Sequence, residues 1–129
     1  MVLNDDDRVI VAGGLNNKEL IISSAYMYSK KEDSWTQLSD MVTRRTEIGC
    51  RTITNKQTGE LEVIVPGGIT LMDGAANYLS SVEIYNVQSN SWRVAGKCSI
   101  ITIFEGGECI LDFMTKCGGI NRSDTPSVP

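Results

Sequence analysis

Side chains able to do chemistry are few and scattered in this chain of 129 residues. There is no histidine, so histidine general acid–base catalysis and Ser-His triads are excluded within it. The four cysteines, Cys50, Cys98, Cys109 and Cys117, form no C-x-x-C pair. That spacing argues against a zinc site or a disulfide framework and suits small buried residues of a reduced protein. Gly13-Gly14 is not followed by Gly-Lys-Ser/Thr, and no G-x-G-x-x-G occurs, so no loop is built to cradle phosphate. Aspartates and glutamates lie in turns and strands without a convergent motif. These observations predict no catalytic residues, no metal and no cofactor.

Acids outnumber bases 16 to 12, for a net charge of −4. A surface of that sign argues against general nucleic-acid or anionic-membrane binding. No apolar stretch reaches the length of a membrane-spanning helix, and Met1-Val2-Leu3 runs into acids rather than a secretory apolar region. A cytoplasmic location is the expectation.

The organisation that must position any site is a repeat. Val9-Ile10-Val11-Ala12-Gly13-Gly14 recurs as Val63-Ile64-Val65-Pro66-Gly67-Gly68, 54 positions on. Gly118-Gly119 follows as a weaker third copy. Behind each of the first two glycine pairs comes a tyrosine and, seven positions later, a tryptophan: Tyr28 with Trp35, then Tyr85 with Trp92. A lone Gly-Gly marks any turn. The whole order, apolar run, Gly-Gly, Tyr, polar turn, Trp, seen twice, does not arise from turns alone. Leu61 to Val65 reads as a strand covered on both faces, as does Arg8 to Ala12. In the strand that follows, Val82 and Ile84 share one face while Glu83 and Tyr85 share the other, with Ala25 and Met27 matching the apolar face in the first copy. Tyr85 and Trp92 flank Asn86 to Ser91 as hairpin partners, and their rings suit the gap between packed sheets.

These copies resemble the kelch repeat, whose period is about 50 residues. The resemblance implies an all-β fold of four-stranded antiparallel blades of a kelch-type β-propeller. Residues 1–129 then form an incomplete propeller of about two and a half blades. Blade 1 takes residues 1–40 and lacks most of its first strand; blade 2 takes 41–97; a partial, degenerate blade 3 takes 98–129. Expected strands are Met1 to Leu3, Arg8 to Ala12, Ser23 to Tyr28 and Trp35 to Leu38, then Glu47 to Asn55, Leu61 to Val65, Ser81 to Tyr85 and Trp92 to Ala95. Propellers close with about four to eight blades, so the chain is expected to need further blades or another chain.

In a propeller, function lies on the loops rather than in the sheets. Leu15 to Ile22 and Ile69 to Ser80 are longer than a hairpin needs. Asn16, Asn17 and Lys18 in the first, and the Asp73-Gly74 turn in the second, are candidate partner contacts. By resemblance to kelch substrate adaptors, Arg44 or Arg45 would face the central mouth and grip an acidic peptide, as guanidinium forks do. A surface arginine, or one paired with Glu47, is the competing reading. The resemblance implies a non-enzymatic module binding a protein or peptide, either the recognition part of a cullin-type ubiquitin-ligase adaptor or an actin-binding propeller. The alternatives are a piece of a kelch-fold enzyme, galactose-oxidase-like or sialic-acid-processing, and a truncated product without activity.

Overall fold

The computed structural model describes residues 7–97. Strand Met1 to Leu3, the third blade and the Gly118-Gly119 pair lie outside the described residues. What is described is all-β, with nine strands and three antiparallel sheets.

The first sheet is β1 (Arg8–Ala12), β2 (Ala25–Ser29) and β3 (Ser34–Leu38), in that order. The second runs β4 (Arg51–Thr54), β5 (Leu61–Pro66), β8 (Ser81–Asn86) and β9 (Ser91–Lys97). Between β5 and β8 a separate two-stranded ribbon forms from β6 (Ile69–Met72) and β7 (Ala75–Tyr78). Tyr28 pairs with Trp35, and Tyr85 with Trp92, as the repeat required. Each tyrosine hydroxyl donates to a turn residue held at positive φ: Asp33 Oδ1 at 2.6 Å and Asn90 Oδ1 at 2.9 Å. The turn is therefore fixed from both ends, by ring contact across the hairpin and by the hydroxyl on its left-handed corner.

Several boundaries differ from expectation. β2 begins at Ala25 rather than Ser23, because the Ser23 and Ser24 carbonyls accept from Met41 and Gly13 instead of a ladder partner. β4 spans only Arg51–Thr54, not Glu47 to Asn55. Glu47 sits at φ 53°, which no strand accommodates. Ile69 to Ser80, expected as a loop, is the β6–β7 ribbon. β9 extends to Lys97 by way of an irregularity between Val82 and Glu83, where Gly96 at φ 144° opposes Val82.

The blades pack face to face. Ile10, Ala25 and Leu38 from the first, together with Met41 of the connection that follows it, meet Val63, Val65 and Tyr85 from the second, with Met27, Leu61 and Trp92 at the margin. Strand alternation explains the set: Val63, Val65, Glu83 and Tyr85 share one face of the second sheet. A polar clamp closes the seam. Ser39 N–H donates to Asn90 Oδ1 at 3.0 Å, its hydroxyl to the Asn90 carbonyl at 2.7 Å, and Trp92 Nε1 donates to the Ser39 carbonyl at 2.8 Å.

On the far face of the second sheet Ile53, Ile64, Val82 and Ile84 are also buried. There Arg93 forks onto Glu62, at 2.9 and 3.0 Å. Burial raises the Glu62 pKa, but the hydrogen bonds from Arg93, Asn55 and Asn86 and the Arg93 charge outweigh it, and the carboxyl rests below its ordinary value.

The first sheet is less covered than its sequence suggested. Val11, Tyr26 and Trp35 remain exposed, Trp35 at 60%. They lie on the face equivalent to the one that the second sheet buries against the first. The two tryptophans thus hold matching places with unlike surroundings. Trp92→Ala should cost about 3 kcal/mol of stability, in the range for large core truncations, and Trp35→Ala no more than about 1 kcal/mol, as read from urea melts of the two variants. For Glu62, a depressed folded pKa means that its contribution is present above the unfolded value and is lost as pH falls through the folded one. The stability gap between wild type and Glu62→Gln should therefore be full near neutrality and narrow below about pH 4.5, the ordinary carboxyl value, in melts recorded across that range.

Candidate protein-interaction surface

Three segments meet at the end of the blades where the glycine pairs lie. They are the 15–22 loop, the connection 42–48 between blades, and the β6–β7 ribbon. Backbone hydrogen bonds join them in series. Gly14 N–H donates to the Arg45 carbonyl at 2.9 Å, and Arg45 N–H to that of Ile22 at 3.3 Å. Thr46 and Ile69 then exchange both of their bonds, each at 2.9 Å.

The glycines are explained by this crossing. A Cβ on Gly13, at φ 66°, would collide with the Arg45 carbonyl and come within 2.8 Å of the Met41 methyl. One on Gly68, at φ 96°, would stand 2.5 Å from Ile48 Cγ2 and 2.9 Å from the Thr46 carbonyl. Both positions need left-handed backbone as well as the space.

Arg45 is the anchor of the crossing. Its Nη1 donates to the carbonyls of Gly67 at 2.6 Å and Ser81 at 3.1 Å. Nη2 donates to Ser81 Oγ at 3.1 Å and to Glu83 Oε2 at 2.5 Å. Glu83 also accepts the N–H groups of Val42 at 2.6 Å and Thr43 at 3.1 Å. Neither side chain is exposed. Burial draws the arginine pKa below its ordinary value, against the Glu83 charge and hydrogen bond, which hold it up. Nε is left without a partner among the described residues.

The expectation that Arg45 could grip an acidic partner is therefore corrected. Its guanidinium is sealed between the blades and its carboxylate is internal. Glu83 was not anticipated as that carboxylate, although a charge inside the apolar run Val82-Glu83-Ile84-Tyr85 had to find a partner. Arg44, one position away, is exposed, and so is Glu47.

The other candidates sit on the outer surface. Asn16 shapes its loop, its Oδ1 accepting Lys18 N–H at 2.9 Å and Leu20 N–H at 3.0 Å. Asn17 and Lys18 are exposed at the tip. Asp73 and Gly74, at φ 51° and 77°, make the two-residue turn of the ribbon, the pair of positive angles that a I′ hairpin requires. The structure thus gathers Asn17, Lys18, Arg44 and Asp73 on segments at one end of the blades. Exposed Leu15, Leu20, Val42, Leu71, Met72 and Tyr78 belong to the same segments and were missed, since a scattered apolar residue in a loop carries no periodic signal. No group of three or more His, Cys, Asp or Glu among the described residues is placed to hold a metal. Cys50 is partly buried, with no disulfide among the described residues, its thiol pushed up to about 11 by burial.

Glu83→Ala would strand a buried guanidinium and two N–H groups. It should cost about 3–5 kcal/mol, whereas Arg44→Ala stays within about 0.5 kcal/mol. An Arg45→Met, Glu83→Leu double variant should recover only part of the loss, because Val42 and Thr43 still lack their acceptor. Urea melts of the three chains test this.

Comparisons with known proteins agree with the geometry. The Kelch motif matches residues 2–42 and 72–99. F-box/kelch-repeat protein At1g80440 of Arabidopsis thaliana is 33% identical over 90 residues, which cover 69% of this chain and 23% of that protein. F-box/kelch-repeat protein OR23 of the same organism is 35% identical over 75 residues, 56% of this chain and 16% of that protein. The chain thus spans less than a quarter of the length of these relatives. The solved structure of YjhT superposes with a TM-score of 0.58 at 20% identity, over 75% of this chain and 26% of that one, and shows the shared fold. With the motif matched over more than half its length and two blades built as the repeat demands, the chain belongs to the kelch-repeat family.

Proposed function

We propose that this chain is a protein-recognition module and not an enzyme, serving as the partner-binding part of a cullin-type ubiquitin-ligase adaptor. The observation that carries the reading is the division of labour in the blades. Charge and hydrogen bonding inside them are spent on holding sheets together, as in Arg45–Glu83 and Ser39–Asn90. Exposed polar and apolar side chains are presented on the loops. Both F-box/kelch relatives favour the ligase setting over an actin-binding one. A cytoplasmic site of action is part of the proposal.

The reading extends to the exposed Val11, Tyr26 and Trp35 face. Its equivalent in the second sheet lies under the first, so a further blade would cover it in a closed ring. The experiment is quantitative recovery of proteins bound to the whole gene product, with and without residues 1–129. A partner that is lost on deletion and accumulates in cells lacking the gene product supports the adaptor reading. A partner lost without accumulating supports recognition alone. Turnover of a sugar substrate that depends on these residues, with no protein partner, overturns both.

A further inference from the structure

The β6–β7 ribbon pairs with neither of the two larger sheets and is not needed to build a blade. In its antiparallel register Ile69 faces Tyr78, Thr70 faces Asn77, Leu71 faces Ala76 and Met72 faces Ala75. Leu79 N–H donates to the Gly68 carbonyl at 2.9 Å, so 68 and 79 form a hydrogen-bonded pair. Antiparallel ladders alternate. Pairs 70/77 and 72/75 therefore bond across the ribbon, while residues 69, 71, 76 and 78 turn their backbone groups outward. Thr46 confirms the assignment on one side, since it takes both outward groups of Ile69.

On the other side, Ala76 and Tyr78 point their N–H and C=O groups away from the ribbon along the edge of β7. Every residue of β7 is exposed. The edge has none of the usual guards: no lysine, proline or bulge lies between Ile69 and Tyr78, and the single charge is Asp73 at the turn. Its side chains are also two-faced. Thr70, 5% exposed, is turned toward the body. Ile69, Leu71, Ala76 and Tyr78 occupy the opposite face, with Leu71 and Tyr78 about half exposed.

We infer that the β7 edge captures an extended peptide segment of a protein partner, added as a strand against Ala76 and Tyr78, with apolar side chains at alternate positions lying beside Leu71 and Tyr78. The chemistry follows from the edge. Outward main-chain donors and acceptors two residues apart match only another extended backbone, and an alternating apolar pattern matches the one apolar face. The molecule already uses this mode on the opposite edge, where Thr46 is held by the same reciprocal pair of bonds. This inference rests on the protein-recognition reading and gives it a location.

Random linear peptides displayed on phage, panned against the 129-residue chain, supply the probe. The selected peptides should alternate apolar and other residues. Their binding should slow amide hydrogen exchange at Ala76 and Tyr78 but not change it at Ala75 and Asn77, whose N–H groups already bond within the ribbon. Ala76→Pro removes an outward N–H that the ribbon does not use, and it should weaken binding by about tenfold or more. The exchange measurement on the unaltered chain decides the matter even where that variant disturbs the hairpin. Peptides that bind without slowing Ala76 and Tyr78 overturn the edge while leaving protein recognition intact. Failure to select any peptide also overturns the edge, and overturns recognition too if no partner is lost when residues 1–129 are deleted. Slowing at Ala76 and Tyr78 that rises with protein concentration and needs no peptide makes the occupant a second copy and overturns the proposal.

Discussion

The buried pair of Arg45 and Glu83 is the constraint from which the joint between the blades is built. A guanidinium removed from water is tolerable only with its charge met and most of its donors satisfied. Here that requirement draws in the ends of β5 and β8 through Gly67 and Ser81. It also holds the connecting backbone through Val42 and Thr43. With residues 42–46 so placed, Gly13 and Gly68 have no room for a side chain. The glycine signature of the repeat is thus a record of where the connection passes. A pair of this kind is weak evidence for net stability. Its clearer effect is on geometry, since the guanidinium and the carboxylate together fix the connecting backbone at Val42, Thr43 and Arg45 against the ends of β5 and β8.

Much of the fold was legible because the repeat ties residue types to places. The Tyr–Trp spacing specified a hairpin with a polar turn, and both copies form it with the expected register. Alternation of Val82 and Ile84 with Glu83 and Tyr85 separated the two faces of β8 correctly. Burial was less legible, because it depends on neighbours that a repeat does not name. Trp35 and Trp92 share a signature, yet one is largely exposed and the other donates to Ser39 across the seam. Arg44 and Arg45 are adjacent and identical in type. Only the position of Glu83 in space, 38 residues further along the chain, decides which of them is internal.

The candidate surface was legible in part. Asn16 to Lys18 and Asp73 were recognised as loop residues of interest, and they do lie on exposed segments. The ribbon between β5 and β8 was not recognised, although Asp73-Gly74 announced its turn. Its strands are four residues each, too short for alternation to stand out from a polar loop. The apolar face of the ribbon emerges only once Thr70 is seen to turn inward.

The seam between the blades has a consequence for the order in which the molecule can be made. Ser39 and Asn90 are 51 residues apart, and Trp92 lies later still. A ribosome adding about 5–20 residues each second releases the first blade's hairpins seconds before the groups that lock them exist. During that interval Ile10, Ala25 and Leu38 have no sheet to lie against. Local hairpins can form early, but the seam must wait for a long-range closure. Until the Tyr85–Trp92 hairpin arrives, the nascent first blade keeps open to association the apolar face that the seam will cover.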